Sequence, residues 1–276
     1  MKNAATEINA ARFFAGAGAG AIGGSIGDKE IYITGDDAKH ISTVLRMSVG
    51  DRIVVCDGAG TDYTCEILYA SHAEVRAIIM YSRPNTGEPA VKVTIYQSLP
   101  RSDKFNFVAQ KNVEAGASRI VPVVSERSQH NERMDGEGGE KLLKRWRRIA
   151  YEAAKQSGRG VLPEIGGYCN FTDAVDECSG VVNEFPESAL ALIPYEYEEK
   201  VSIKSELAAF KRRVLSAGAI NSEVFIFIGP EGGFSEAEID YGVKNGVRPV
   251  TLGPRILRTE TAGLAALCQI MYEFEM

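Results

Sequence analysis

The 276-residue chain has little of what metal and redox proteins are built from. Its five cysteines (Cys56, Cys65, Cys169, Cys178, Cys268) form no C-x-x-C pair, and its three histidines (His40, His72, His130) show no H-x-x-x-H spacing. An odd, scattered set of cysteines reads as reduced thiols of a cytoplasmic protein, not a disulfide frame or a zinc site. No metal is expected. No uninterrupted apolar run reaches the ~18–20 residues that span a bilayer, so no membrane is expected either. Phe13–Ile26, FFAGAGAGAIGGSI, has the length of a signal-peptide apolar region. Its glycines make it only weakly hydrophobic and the residues before it are not clearly basic, so it is not read as a signal. G-x-x-x-x-G-K-[ST] is absent, which excludes a P-loop. Gly18, Gly20 and Gly23 do fit G-x-G-x-x-G. That fingerprint needs a helix to open at its third glycine, and SIGDKEIYI runs instead through a turn into a strand, so the segment reads as a loop.

What is present is ordinary in bulk and uneven in detail. Hydrophobic residues make up 45% and charged residues 25%, and 31 Lys+Arg against 37 Asp+Glu give a net charge of −6. At ~150 residues per domain the length suggests two domains, or one large one. The acidic average argues against a protein that coats nucleic acid without specificity. Residues 101–159, however, carry 13 basic and 8 acidic residues, whereas 160–240 carry 5 and 15. A basic island sits inside an acidic protein.

Periodicity changes along the chain. Ile31–Ile33, Arg52–Cys56, Tyr63–Leu68 and Glu74–Met80 are β-rich runs separated by turn signals, with one helical stretch at Asp37–Met47. Short strands with one helix predict a small β-barrel module over residues 1–80. Residues 81–90, YSRPNTGEPA, are polar and rich in Pro and Gly and read as a linker. From 91 onward strands and helices alternate. Strands are expected at Val91–Gln97, Arg119–Val124, Ala189–Ile193, Glu223–Ile228 and Pro249–Leu252; helices at Asp103–Ala115, Lys141–Gln156, Ser235–Lys244 and Thr259–Tyr272. Ser235 followed by Glu238 is a capping box. The alternation predicts an α/β domain over 91–276 with a mostly parallel sheet covered on both faces. Ligands of such sheets bind beyond the carboxyl ends of the strands.

Two turns lie there. Ile228–Phe234, IGPEGGF, follows an apolar strand and precedes the capped helix; its glycines let a ligand approach the backbone, and Glu231 supplies an acceptor for hydroxyls such as those of a ribose. Leu252–Ala262, LGPRILRTETA, packs Arg255, Arg258, Glu260 and two threonines between a strand and the last helix, more charge than an N-cap requires. The basic island, including Lys104, Lys111, Arg119, Arg127, Lys144–Arg148, Lys155 and Arg159, could track a phosphate backbone. Trp146 falls on the apolar stripe of its helix and reads as core.

IGPEGGFSEAEI, LGPRILRTETA, the K-x5-QK-x2-EAG stretch Lys104–Gly116, Ser125–Ser128 (SERS), Gln156–Arg159 (QSGR) and the N-terminal RFF…HISTVLRM…GD together resemble the RsmE-like 16S ribosomal RNA (uracil-N3)-methyltransferases of the SPOUT superfamily. The matches run in order from about residue 12 to 270. The resemblance implies a PUA-like β-barrel that helps hold RNA, followed by a trefoil-knotted parallel-sheet methyltransferase domain, a known exception to the rule against knots. It also implies a homodimer, S-adenosylmethionine as cofactor and 16S rRNA or the small ribosomal subunit as partner. Carried over by position, the cofactor pocket would comprise Ile193, Pro194, Ile228, Gly229, Glu231, Gly232, Leu252, Gly253, Ile256, Leu257 and Arg258. The Ala/Gly-rich insert after Phe14 departs from the family pattern.

The implied reaction moves a sulfonium methyl to N3 of a uridine. The imide proton must leave, charge grows on O2 and O4, and a positioned cation would stabilise it. Arg258 is the expected stabiliser. Carboxylates are poor bases for an imide, so Glu260 is read as orienting Arg258 more readily than as the proton acceptor. Arg12, Arg46, Arg127 and Arg159 are the expected RNA-positioning residues. Two alternatives stay open: a SPOUT enzyme with another RNA target, and a non-catalytic RNA-binding assembly factor.

Overall fold

A computed structural model describes residues 10–16, 24–101, 103–128 and 136–275. The glycine loop at Gly18, Gly20 and Gly23 lies outside the described residues. The chain divides into two units, one of Met1–Glu88 with Ala154–Leu162, the other of Pro89–Ala153 with Pro163–Met276.

In the first unit the alternation of β-branched and polar residues produces strands with one buried face. β1 (Arg12–Phe14), β2 (Gly24–Ile26), β3 (Glu30–Thr34), β4 (Arg52–Cys56), β5 (Thr61–Ala70) and β6 (Glu74–Pro84) form one sheet in the order β1-β4-β5-β6-β3-β2. β1 runs parallel to β4 and every other pair is antiparallel. The Gly16 amide donates to the Gly24 carbonyl at 3.2 Å, joining the two edge strands as a small barrel requires. Ile31, Ile33, Ile53, Val55, Cys65, Ile67, Val75 and Ala77 point inward around Phe13. The expected Asp37–Met47 helix is α1 (Gly35–Lys39) continued by a π-helical turn at His40–Val44. It stops where Arg46 turns left-handed at φ 53°. Tyr81–Pro84, read as linker from composition, continue β6, pairing Tyr81 with Thr64 and Pro84 with Thr61.

Residues 154–162 are strapped to this unit by charge. Lys155 Nζ lies 2.7 Å from Asp37 Oδ1 with both side chains nearly dry, and 4.9 Å from the centre of the Phe13 ring. Arg159 binds Glu88 through two hydrogen bonds, and the Arg159 carbonyl accepts from Arg12 at 3.0 Å. Arg12 itself is clasped by the Asp62 carboxylate. The structure thus places the two arginines expected to hold RNA in internal ion pairs, Arg12 partly buried and Arg159 nearly dry.

The second unit is built on continuous apolar strands, as a sheet buried on both faces demands. Its elements are β7 (Val91–Ser98), α2 (Lys104–Glu114), β8 (Arg119–Val124), α3 (Gly136–Ser157), β9 (Glu164–Ile165), β10 (Cys169–Asn170), α4 (Phe171–Glu184), β11 (Ala189–Pro194), α5 (Ile203–Ala217), β12 (Ser222–Ile228), α6 (Glu236–Lys244), β13 (Arg248–Val250) and α7 (Thr259–Glu275). The last turn of α3 falls in the first unit. Every strand pair is parallel, in the order β10-β8-β7-β12-β11-β13 with β9 beside β8. β12 thus enters between β7 and the earlier strand β11. Val121, Val123, Ala189, Ala191, Ile193, Phe225 and Phe227 alternate along their strands into a core shared with Phe171 and Ile239 of α4 and α6. α7 packs on β7 and β12 between α2 and α5. Trp146 is buried with its ring centre 4.0 Å from that of Phe105, a core residue as its place on the stripe predicts.

Candidate functional site

β11, β12 and β13 end side by side, and the segments leaving them line a cleft of about 960 Å³. The first turn begins at Ile228. Gly229 packs so closely on Phe234 that a Cβ there would stand 3.2 Å from the ring. The turn closes through the Gly233 amide on the Pro230 carbonyl at 3.0 Å. The capping box then starts α6: the Ser235 hydroxyl accepts from the Glu238 amide and Glu238 from the Ser235 amide, at 3.3 and 2.9 Å. The other Glu238 oxygen accepts the Glu126 amide at 2.8 Å. That contact fixes the Ser125–Ser128 loop and lays Arg127 along Gly232, whose carbonyl accepts from Nη1 at 2.9 Å.

The second turn leaves β13. The Thr251 amide and carbonyl are tied to Val201 and Ile203. Gly253 follows at φ 120°, a conformation that a side chain would strain. Arg255, Ile256 and Arg258 are exposed, Ile256 to 90%. Thr259 Oγ1 donates to the Gly229 carbonyl at 2.5 Å and accepts from Gln97 Nε2 at 2.9 Å. This neutral chain joins the end of β7, the first turn and the start of α7.

Of the residues expected to hold the cofactor, Pro194, Ile228, Gly229, Glu231, Leu252, Gly253, Ile256, Leu257 and Arg258 line the cleft. Ile193 is fully buried in the sheet core beneath it, and Gly232 sits behind the turn against Arg127. Glu231 is already engaged: its carboxylate accepts from the Arg101 amide at 3.1 Å and from Lys104 Nζ at 3.1 Å. Burial alone would raise its pKa, but these donors outweigh it and hold the carboxyl below its ordinary value. Lys104 is held above its ordinary value, first by Glu231 and then by Glu260.

The expected pairing of Glu260 with Arg258 is not formed. The Glu260 carboxylate lies 3.3 Å from Lys104 Nζ, while the Arg258 side chain makes no hydrogen bond or ion pair among the described residues. Arg46 and Arg127 are exposed, in contrast to Arg12 and Arg159. Sequence reasoning missed Lys104, Tyr195, Glu196 and Thr259 as cleft-lining residues. Lys104 carried a signal: it is the first residue of α2, where the helix dipole disfavours a cation.

The cleft suits a cofactor of nucleoside size with both apolar and polar parts. Its volume lies within the range of small-molecule sites, its floor is apolar at Ile228 and Leu252, and its walls offer charges of both signs. Among the described residues no group of three or more His, Cys, Asp or Glu could hold a metal. No described helix is long and apolar enough to cross a membrane.

The RNA methyltransferase domain family matches residues 87–271, and the RNA methyltransferase PUA domain family matches residues 33–80. The chain is 34% identical to ribosomal RNA small subunit methyltransferase E of Bacillus subtilis, over 88% of this chain and 90% of that protein. With the protein of the same name from Mycobacterium tuberculosis it is 31% identical, over 85% and 83%. Among solved structures, ribosomal RNA small subunit methyltransferase E of Neisseria gonorrhoeae bound to S-adenosylmethionine superposes with a TM-score of 0.75 at 26% identity, over 95% of this chain and 97% of that one. A methyltransferase of Legionella pneumophila in complex with the cofactor gives the same values.

Proposed function

Because the chain belongs to the RNA methyltransferase family, we propose that it methylates N3 of a specific uridine in 16S ribosomal RNA, with S-adenosylmethionine as methyl donor. The observation that carries this reading is the cleft at the ends of β11, β12 and β13, lined by both glycine turns, in a chain that matches a relative named ribosomal RNA small subunit methyltransferase E over 88% of its length. When bound, S-adenosylmethionine supplies a methyl group activated on a sulfonium.

The chain's own residues do the rest. Pro194, Gly229, Leu252, Gly253, Ile256 and Leu257 would hold the cofactor, backbone groups meeting its polar edges and apolar side chains its rings. Arg258, exposed in the cleft and without a side-chain partner among the described residues, stabilises the charge that grows on O2 and O4 as the N3 proton leaves. The target base enters unpaired, since N3 lies on its Watson–Crick edge. Arg46 and Arg127 hold flanking phosphates. The first unit acts as the PUA-like RNA-holding module, and the second as a knotted catalytic domain that works as a homodimer in the cytoplasm.

The test incubates the protein with labelled S-adenosylmethionine and small subunits lacking the modification, then identifies the product by nucleoside mass spectrometry. 3-Methyluridine is expected. Another methylated nucleoside would retain the class and reject the target, and absence of both cofactor binding and methylation would favour an RNA-binding assembly factor.

A further inference from the structure

Three segments remote in sequence meet at one ammonium group. Lys104 Nζ lies 3.1 Å from Glu231 Oε1 and 3.3 Å from Glu260 Oε2. Glu231 belongs to the first turn and is fixed from behind by the Arg101 amide. Glu260 is the second residue of α7, and its Oε2, withdrawn from solvent, has no hydrogen-bonded donor among the described residues and depends on the lysine for compensation. The helix that begins at Lys104 gains nothing from a cation in its first turn. The lysine is explained by the two carboxylates it faces.

We propose that Lys104 is a positioning residue of the methyl transfer: it clamps Glu231 to Glu260 and thereby sets Arg258 against the cofactor turn. Arg258 lies two residues before Glu260, and its carbonyl accepts the Thr261 and Ala262 amides, both at 2.8 Å. Holding Glu260 therefore holds the backbone that carries Arg258. Without Lys104 no cation lies between the two carboxylates, Glu231 keeps the Arg101 amide, and the repulsion drives the turns apart. The cleft itself survives, because the Gln97–Thr259–Gly229 chain joins the same turns without charge. The role assigned to Arg258 rests on the methyltransferase reading; the clamp does not.

The test compares wild type, K104A, K104R and K104A/E260Q. In cofactor-free protein, hydrogen exchange of the Thr261 and Ala262 amides should rise at least tenfold in K104A and return toward wild type in K104R. At saturating substrates kcat of K104A should fall at least tenfold, while the S-adenosylmethionine Kd by calorimetry changes less than threefold. K104R should recover most of kcat, and the double variant should be no worse than K104A, since the two residues act as one unit. Unchanged exchange in K104A overturns the clamp whatever the enzyme does. A Kd that weakens in step with kcat makes Lys104 a binding residue and also overturns it. A wild type with K104-dependent exchange but no methylation rejects the methyltransferase reading while leaving the clamp standing.

Discussion

Arg159 and Glu88 meet through two parallel hydrogen bonds, Nε to Oε1 at 2.9 Å and Nη2 to Oε2 at 2.8 Å, with the arginine side chain 3% exposed. Glu88 Oε1 also accepts the Gly160 and Val161 amides. One carboxylate therefore fixes both the charge and the backbone of the 154–162 segment. Breaking a buried pair from one side leaves the other charge uncompensated, which costs about 3–5 kcal/mol. Arg159→Ala should lower stability by about 3 kcal/mol in chemical denaturation, with Glu88→Gln smaller because its amide oxygen still accepts. A loss under 1 kcal/mol for Arg159→Ala would show that the strap is not held by this pair.

Arg127 and Arg12 separate an RNA contact from a structural one. Arg127 is exposed and, among the described residues, makes one side-chain hydrogen bond, to the Gly232 carbonyl. Arg127→Ala should leave the denaturation midpoint nearly unchanged, weaken binding to a 16S fragment, and reduce the slope of log K against log[salt] by about 0.7–0.9. Arg12→Ala should do the reverse, destabilising the protein with an unaltered salt slope. Identical salt slopes for wild type and Arg127→Ala would remove this residue from the RNA surface.

Arg258→Ala should abolish methylation while calorimetric binding of S-adenosylmethionine persists within a few-fold. The side chain has no partner among the described residues whose loss could disturb the fold. Losing one charge stabiliser in an acyl- or group-transfer site costs about 10²–10³ in kcat. Equal loss of binding and turnover would transfer Arg258 from the chemistry to cofactor retention.

The Lys104–Glu231 contact has a defined acid limit. Burial pushes the Glu231 carboxyl up, the Arg101 amide and Lys104 push it down further, and the net shift is downward. A depressed carboxyl contributes stability above its unfolded pKa of about 4.3 and loses it as pH falls through the lower folded value. Wild type and Glu231→Gln should thus differ by up to about 1 kcal/mol at pH 6–8 and converge below about pH 4. Curves that stay parallel down to pH 3 would contradict the assignment.

Much of the fold was legible because local signals and global packing agree. Ser235 and Glu238 announced the start of α6, and both halves of the box are formed. The apolar runs of β8, β11 and β12 read as strands because a parallel sheet buries both faces. α4 and α5 were not assigned. Helix α4 carries Gly180 and Asn183 and has an extended Asn170 before it without a side-chain cap bond, so its apolar residues Phe171, Val175 and Cys178 were the only cue. Helix α5 did carry one, the Ser202 cap on the Ser205 amide and left-handed Gly218 at its end. Within the site, both turns were readable from glycine and charge density. Which arginines are free was not, because the partners of Arg12 and Arg159 lie 50 and 71 residues away. The clamp on Glu260 was hidden for the same reason: Lys104 stands on another helix altogether.

Four of the five thiols share one perturbation. Cys56 and Cys169 are pushed up to about 11 and Cys65 and Cys178 to about 12, in each case chiefly by burial. Such groups are protonated and unreactive at neutral pH.

The return of residues 154–162 to the first unit sets an order on biosynthesis. A nascent chain that has just emerged through Glu88 carries all six strands of the barrel, yet still lacks Arg159 to neutralise Glu88 and Lys155 to meet Asp37. At ~5–20 residues per second the ribosome needs roughly 4–15 s more to deliver that segment. The unit begun first is therefore completed only after about a third of the second has been translated, and a gene fragment ending at Glu88 would encode a barrel without the segment that straps it.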